Sequence, residues 1–468
     1  MDSQADDDNI GQEDEEECPV DAPRGFSSKY DDFGSAVFEI DGSALAKLAC
    51  AANSTEASSA SMPCIRLQAR PDACLRGVNT AADVEAKIRQ VREHMDQYRP
   101  SDLYTRQWEP HPSSDAETGI NNASNTSTAH AISVMQFNTL AEGLSSGTLE
   151  PLPFGKSIEY RKDDEAGFGG FTALPHPEVC LDYSNRRWRI LEVLLGKYCQ
   201  EQTIKTHDNS SDGGSGSIAG SCPFDIIGME EVDRFGGFFA PALSLFGYQG
   251  IFNAKPRAPG VQFGYYSDGC ALFWKADKFD LVCKARRSFR IGTQVYLLAT
   301  LRHKESGRPI VVAVTHLKAS KSEENARIRA LQSQELLEIL QEKAARIAEN
   351  CSDTREVPTI VLGDFNAEPS EDAAKNFVDG IDNGSLQSFA SAYPADIPYS
   401  TWKTRGTNTV RRVIDYIFYK PCCNVDGTPI FECKEFLALP AEEDMEEQGM
   451  PGFRSPSDHL ALAARFYI

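Results

Sequence analysis

The sequence has no apolar run that approaches the roughly 20 residues needed to span a bilayer. Its first residues lack the basic and apolar segments of a secretion signal and are too acidic for a mitochondrial presequence. The 13 cysteines include no C-x-x-C pair, and the cluster of Cys422, Cys423 and Cys433 has no neighbouring histidine to complete a zinc site. We therefore expect free thiols and a location in a reducing compartment, the cytoplasm, with the nucleus left open and no membrane partner.

Positive charge is also scarce. The 47 Lys and Arg face 69 Asp and Glu, which gives a net charge of −22. Nine of the acidic residues lie within residues 2–17, a run without Lys or Arg that is typical of a disordered tail. Non-specific affinity for RNA or DNA comes from many Lys and Arg contacts to phosphates. The composition therefore argues against a general nucleic-acid binder, and any basic surface must be local.

The 468 residues suffice for one large domain with additional segments. Residues 1–125 are acidic and rich in Ser and Ala, and we predict that they are largely disordered. The exception is a helical spacing of Val84, Ile88, Val91 and Met95, which predicts one short helix near 81–98 that packs on the main domain.

From residue 131 to residue 468 the pattern changes to short apolar runs. Many are rich in β-branched or aromatic residues and predict strands: 132–137, 225–229, 270–274, 295–301, 310–314, 359–362, 413–419 and 460–467. Helical periodicity predicts helices over 186–195 and 323–348. Many strands with fewer helices indicate two packed sheets covered by helices on their outer faces. The Gly-rich segments 145–179 and 208–221 are predicted to be flexible surface loops.

Acids, amides and a histidine stand where several of these strands begin or end. A buried charge is costly unless it is paired or binds a metal, so such a set suggests a site. Each position alone has an ordinary explanation as a helix cap or turn residue, but their joint occurrence is more specific. The set comprises Asn138, Glu231, Asp364, Asn366, Asp415, Asp458 and His459.

Phosphate ester hydrolysis would use these residue types. Mg²⁺ prefers oxygen ligands such as carboxylates, water and phosphate. The reaction also needs a positioned water, an acceptor for its proton and positive charge against the developing negative charge. A histidine beside an aspartate can supply that charge, because the carboxylate raises the pKa of the imidazole.

The motifs resemble the endonuclease/exonuclease/phosphatase superfamily over about residues 131–468. The matching segments are M-Q-F-N at 135–138, M-E-E-V-D at 229–233, S-D-G-C-A at 267–271, G-D-F-N at 363–366, I-D-Y-I at 414–417 and S-D-H at 457–459. The resemblance implies an α/β fold of the α+β type. Its architecture would be a four-layer α/β-β/α sandwich of two packed mixed β-sheets, with helices on the outer faces.

The resemblance also implies roles for single residues. Glu231 would be the principal ligand of Mg²⁺, or of Mn²⁺ as the alternative ion, supported by Asn138 and with Asp458 near the metal waters. The catalytic residues would be Asp364, which orients or deprotonates the attacking water, Asn366, which contacts the phosphate, and His459, which Asp415 orients to stabilise the transition state.

Within the superfamily, T-H-L-K-A at 315–319 and Y-S-T-W-K-T-R at 399–405 are similar to the nocturnin-like branch. That likeness implies a monomeric NADP(H) 2′-phosphatase with a dinucleotide substrate whose phosphates are held by Lys255, Lys318 and Arg405. Ser320 departs from the branch, which has an arginine there. Lys321 could stand in, although a lysine cannot make a bidentate phosphate contact.

Two alternatives stay open. The shared catalytic core also fits a 3′-exoribonuclease that removes poly(A), with RNA as the substrate. An inactive binding protein is the second alternative, which the intact set of polar residues disfavours.

The sequence also offers His316 at a strand end, for which a structural hydrogen-bonding role is at least as good an interpretation. Arg327, Arg329 and Gln332 lie on the long predicted helix and also match the family, but surface packing is the simplest interpretation.

Overall fold

A computed structural model describes residues 65–112 (apart from 66, 69 and 79), 130–145, 168–199 (apart from 172), 222–349 (apart from 264), 356–381, 388–423 and 429–468. The predicted acidic disordered run and the predicted loop over 208–221 lie outside the described residues, as does most of the predicted loop over 145–179.

The described residues contain strands that we number in chain order. They are β1 (Trp108–Pro110), β2 (Ala131–Asn138), β3 (Ile226–Val232), β4 (Tyr248–Ala254), β5 (Gly269–Lys275), β6 (Phe279–Ser288), β7 (Val295–His303), β8 (Pro309–His316), β9 (Thr359–Asp364), β10 (Ala390–Ser391), β11 (Thr401–Arg405), β12 (Asn408–Arg412), β13 (Asp415–Lys420), β14 (Cys422–Cys423), β15 (Pro429–Leu437) and β16 (Leu462–Tyr467). All eight strands predicted from the sequence are among them, with ends that shift by at most three residues.

The α-helices of the described residues are likewise numbered in chain order. They are α1 (Ala81–Gln97), α2 (Glu142–Ser145), α3 (Pro177–Cys180), α4 (Tyr183–Leu194), α5 (Ala240–Ser244), α6 (Glu323–Glu349) and α7 (Asp372–Asp379). The three helices predicted from the sequence correspond to α1, α4 and α6. None of the helices described by the structure is long and apolar enough to cross a membrane. The described cysteines form no disulfide.

Most strands belong to one of two sheets. The first has the order β1-β15-β16-β2-β3-β5-β4, with β14 paired to β15, and the second has the order β10-β13-β9-β8-β7-β6. The pairs β2–β3 and β8–β9 are parallel and the other pairs are antiparallel, so both sheets are mixed. The strands β11 and β12 form a separate hairpin.

The two sheets pack face to face and helices cover their outer faces. Leu272 of β5 and Leu297 of β7 belong to the core between the sheets. The outer face of the first sheet is covered by α1 and α4, and that of the second by α6 and α7. The sheets approach closely at Gly228, where a Cβ would lie 2.6 Å from Leu362 Cδ1. The predicted four-layer sandwich of two mixed sheets is confirmed.

The sandwich includes chain upstream of residue 131. Helix α1 begins with a capping box, in which Thr80 and Asp83 exchange side-chain to backbone hydrogen bonds. It buries Ile88, Val91 and Met95 in the core that α4 shares, as the helical spacing predicted. Strand β1, which the sequence pattern did not reveal, pairs with β15 at the edge of the first sheet.

Candidate active site

Strand direction gathers the polar strand-end residues at one edge of the sandwich. The parallel strands β2 and β3 end side by side, with Asn138 opposite Glu230. In the second sheet, the parallel strands β8 and β9 end with His316 opposite Asp364. Because β13 runs antiparallel to β9, its first residue, Asp415, also lies opposite Asp364. The carboxyl ends of parallel strands and the amino end of an antiparallel strand thus meet.

Strand direction also places the remaining polar segments at this edge. His459 precedes β16, which is antiparallel to β2. Lys255 follows β4 and Asp268 precedes β5, and these two strands are paired with Ala254 opposite Gly269. Residues that are far apart in the sequence therefore share one edge of the sandwich.

Asp415 holds His459 in a fixed orientation. Nδ1 of His459 lies 2.8 Å from Oδ2 of Asp415. The same carboxylate accepts hydrogen bonds from Ser400 Oγ at 2.7 Å and from Gln136 Nε2 at 3.1 Å. All four side chains are buried. The aspartate therefore has fixed partners on both oxygens, as a group that orients an imidazole requires.

The histidine is a cation at neutral pH. Burial alone would lower the pKa of His459, but the carboxylates of Asp415 and Asp458 raise it to about 9. Its Nε2 lies 3.9 Å from Asp364 Oδ2 and 3.9 Å from Asp458 Oδ1. The second ring nitrogen of His459 thus faces two carboxylates, which favour the imidazolium form.

Asp364 is held by two amides and is itself a weak acid. Asn138 Nδ2 donates to its Oδ2 at 3.0 Å, and the backbone N–H of Asn366 donates to its Oδ1 at 2.8 Å. Burial first, and the nearby Asp415 carboxylate second, raise the pKa of Asp364 to about 6. A carboxylate with a pKa in this range can exchange a proton near neutral pH.

Asp458 lies among cations of the β11–β12 hairpin. Lys403 Nζ lies 2.6 Å and Arg405 Nη2 3.4 Å from its Oδ2. Burial would raise the pKa of Asp458, but Lys403, His459 and Arg405 lower it well below its usual range. The guanidinium of Arg405, whose side chain is 42% exposed, stacks on the ring of Phe171 at 4.4 Å.

Lys403 is a site residue that the sequence analysis missed. Its Nζ lies 3.5 Å from His459 Nε2, so the ammonium borders this histidine directly. The only signal in the sequence was its position inside the T-W-K-T-R motif. Ser400 and Gln136, which hold Asp415, were also missed as site residues. Their role depends on Asp415, a partner that the sequence does not place beside them.

Lys255 and His316 form a buried pair beside Asp364. Lys255 Nζ lies 2.6 Å from Asp268 Oδ2 and 3.4 Å from His316 Nδ1. The other imidazole nitrogen, Nε2, lies 2.9 Å from the side-chain amide of Asn366. Burial, and then the charge of Lys255, lower the pKa of His316 well below its usual value. His316 is therefore a neutral hydrogen-bonding group that positions Asn366 and Lys255.

Glu231 occupies an irregular point of β3. Its φ of 55° lies in the left-handed region, and the pairing of β3 with β5 is interrupted between Met229 and Val232. The half-buried carboxylate accepts a hydrogen bond from the backbone N–H of Ala141 at 3.0 Å. Lys318 lies half-buried, two residues beyond the end of β8.

Buried acidic groups make this edge suitable for a divalent cation. Carboxylate oxygens of Asp364 and Asp415 and a ring nitrogen of His459 all lie within 4.8 Å of one another, and the carboxylates are the groups that could bind a cation. Behind them Glu230 is buried and accepts a hydrogen bond from Gln136 Nε2 at 2.8 Å. Burial, and then Asp415 and Asp364, raise the pKa of Glu230 well above its usual range. A bound cation would reduce the repulsion between these carboxylates. The candidate metal ligands are mostly oxygen atoms, which suit Mg²⁺ or Mn²⁺ better than Zn²⁺.

Comparisons with known proteins agree with this chemistry. Residues 201–459, more than half of the chain, match the Endonuclease/Exonuclease/phosphatase family. The chain is 38% identical to Nocturnin of Homo sapiens over 251 residues, which cover 52% of this chain and 54% of that protein. It is 30% identical to the CCR4-Not complex 3′-5′-exoribonuclease subunit Ccr4 of Candida albicans over 291 residues, which cover 52% of this chain and 35% of that protein.

The fold has a counterpart in the crystal structure of ANGEL2, a 2′,3′-cyclic phosphatase, in complex with adenosine-2′,3′-vanadate. The match has a TM-score of 0.52 at 19% identity and covers 78% of this chain and 99% of that chain. This likeness shows the fold alone. The chain spans about half the length of the human Nocturnin protein that it matches.

Proposed function

The chain belongs to the endonuclease/exonuclease/phosphatase family, and from that premise we propose that it is an Mg²⁺-dependent phosphoesterase that removes the 2′-phosphate from NADP⁺ and NADPH. The observation that carries the proposal is the orientation of buried His459 by Asp415 at an edge lined with carboxylates and lysines. Similarity to human Nocturnin and the motifs T-H-L-K-A and T-W-K-T-R support the choice of substrate.

Each residue has a distinct task in this proposal. Glu231 and Asn138 would hold the metal ion, which supplies positive charge to the phosphate when bound. Asp364 orients the attacking water and accepts its proton, which its raised pKa favours. The His459 cation stabilises the negative charge that develops on the phosphoryl oxygens. Asn366, held beside His316, contacts the phosphate.

The cations at the site favour a compact polyanion. Lys255, Lys403 and Arg405 lie at the same edge, and Lys318 follows the strand that ends in His316. Charge-assisted contacts of this kind suit the phosphates of a dinucleotide. A long single-stranded RNA needs an extended basic groove with aromatic residues on which bases stack.

The second candidate is a 3′-exoribonuclease, and it rests on the 30% identity to the Ccr4 subunit. An inactive binding protein is disfavoured because the hydrogen bonds that orient Asp364, Asp415 and His459 are all in place. A monomer in the cytoplasm stays a prediction from the sequence.

A side-by-side assay separates these functions. Purified protein with Mg²⁺ is incubated with NADPH, with a 2′-phosphonucleotide and with oligoadenylate, and His459→Gln serves as the matched inactive control. We expect release of inorganic phosphate and NADH from NADPH, and none with the control. Shortening of oligoadenylate without phosphate release from NADPH would reverse the ranking. If neither NADPH nor oligoadenylate is consumed, the result would favour an inactive binding protein.

A further inference from the structure

The loop that carries Lys318 is held by side chains of α6. The backbone N–H of Lys318 donates to Gln332 Oε1 at 3.0 Å. The carbonyl oxygens of Lys318 and Ser320 accept hydrogen bonds from Arg329 Nη1 at 3.2 and 2.7 Å. Ser320 has a φ of 84°, a strained conformation for a residue with a side chain. The loop therefore has a defined shape that the helix imposes.

Arg329 also reaches the segment that follows Asn366. Its Nη2 donates to Glu371 Oε2 at 2.5 Å, and Glu371 Oε1 accepts from the backbone N–H of Glu368 at 3.0 Å. Arg412, at the end of the β11–β12 hairpin, lies 3.4 Å from the same Glu371 oxygen. One guanidinium thus connects the Lys318 loop, the segment after Asn366 and, through Glu371, the hairpin that carries Lys403 and Arg405.

Helix packing does not explain this arginine. Arg329 is 2% exposed, and burying a charge is costly unless its partners compensate. The apolar contacts of α6 with the second sheet are made by other residues, among them Leu336, Leu337 and Leu340. Gln332 is also buried and donates to the carbonyl oxygen of Ile291 at 2.8 Å. Surface packing, the simplest interpretation from the sequence, is therefore wrong for both residues.

We propose that Arg329 is a positioning residue for substrate binding: by clamping the carbonyls of Lys318 and Ser320, it fixes the Lys318 ammonium where the substrate phosphates bind. The inference rests on the proposed function, because it takes Lys318 as a phosphate-binding residue. Arginine is required because its planar fork serves two carbonyls and a carboxylate at once, which a lysine ammonium cannot do in the same geometry.

The test compares Arg329→Met and Arg329→Lys with Arg327→Met, a change at an exposed position of the same helix. Phosphate release from NADPH with Mg²⁺ is measured at steady state. For both Arg329 variants we expect KM to rise about tenfold while kcat stays within about twofold. Substrate binding loses a preorganised contact, whereas Glu371 keeps its hydrogen bonds with the Glu368 backbone and with Arg412. Arg327→Met should match the wild type. If Arg329→Met does not fold, Arg329→Lys provides the same comparison.

A double-mutant cycle separates positioning from general stability. If Arg329 acts through Lys318, Arg329→Met adds nothing to the loss of substrate affinity that Lys318→Ala causes. If Arg329 had a purely structural role, the two substitutions would weaken substrate affinity independently, so that their fold-losses multiply. In that case kcat would fall by as much as the affinity. Either an unchanged KM in the Arg329 variants or a multiplicative cycle would overturn the proposal.

Hydrogen exchange gives a readout that does not depend on activity. Amides of residues 317–322 should exchange faster in the Arg329 variants than in Arg327→Met, while the strands of the second sheet keep their protection. If the wild type and Arg327→Met release no phosphate from NADPH, the proposed function fails. Unchanged exchange at residues 317–322 would instead refute the positioning role itself.

Discussion

At the scale of single residues, the site depends on how one buried carboxylate acts on one imidazole. Burial favours neutral His459, whereas the charge of Asp415 at 2.8 Å favours the cation, and the cation prevails. The raised pKa also links His459 to stability. Its contribution to folding is fully present below its unfolded pKa of about 6.5 and is lost as the pH rises through about 9.

Replacing Asp415 by Asn should therefore lower the pKa of His459. The variant loses the carboxylate that raises this pKa most, while burial continues to favour the neutral imidazole. NMR titration of the metal-free protein measures this directly. At pH 7.5 we expect phosphate release to drop about a hundredfold or more, because the stabilising cation is lost. Ser400→Ala is the control, since it keeps the carboxylate and should leave the pKa high. An unchanged His459 pKa in Asp415→Asn would contradict the assignment.

Glu231 allows a second residue-scale prediction. Glu231→Gln keeps the shape and can still accept the hydrogen bond from Ala141, so we expect the free energy of unfolding to change by less than about 1 kcal/mol. Activity should fall by about two orders of magnitude or more, because a charged metal ligand is lost. Urea unfolding and phosphate release measure the two effects. Loss of stability in proportion to activity would show that Glu231 is structural.

The sequence revealed some of these residues and not others for a physical reason. Asn138, Asp364 and Asp415 could be found because an acid or amide at the end of an apolar strand is unusual locally. Gln136 lies inside a buried strand, and its contact with Asp415 is made across the two sheets. No local pattern distinguishes such a residue from an ordinary strand residue, because the partner defines its role.

At the scale of elements, burial on both faces decided which strands the sequence revealed. Strands β8 and β9 are apolar and almost wholly buried, and both were predicted. Strand β6 is half-exposed along most of its length at the edge of the second sheet, and its Lys and Arg residues obscure the strand pattern. Strands β10 and β14 have two residues each, and β12 is exposed or half-buried along its whole length, so hydrophobic periodicity cannot identify them.

Helix α1 provides the prediction at this scale. Met95 is 2% exposed in the core that α1 shares with α4, and this core lies on the face of the first sheet away from the second. Met95→Ala should lower the free energy of unfolding by about 2–4 kcal/mol because it leaves a cavity. KM and kcat of the folded protein should not change. Urea unfolding tests the first expectation, and Arg89→Ala, at an exposed position of the same helix, should be neutral. Equal stabilities of the two variants would show that α1 does not contribute to the core.

At the scale of the whole molecule, the net charge conceals a local group of cations that lies among carboxylates. The chain carries a net charge of −22, yet Lys255, Lys403 and Arg405 cluster at the edge that holds the proposed catalytic groups. Composition could exclude a general nucleic-acid binder but could not show this cluster, because only the fold brings β4 and the hairpin together. The four-layer sandwich, by contrast, followed from the strand pattern and the family resemblance.

We propose that Glu231, Asp364 and His459 surround one divalent-cation site. An anomalous difference map of a crystal grown with Mn²⁺ tests it most directly. We predict a strong peak coordinated by the Glu231 carboxylate, with Asn138 beside it and with Asp364 and His459 facing the same space. A map with no metal at Glu231, or with Glu231 and His459 on different sides of the sandwich, would contradict the account.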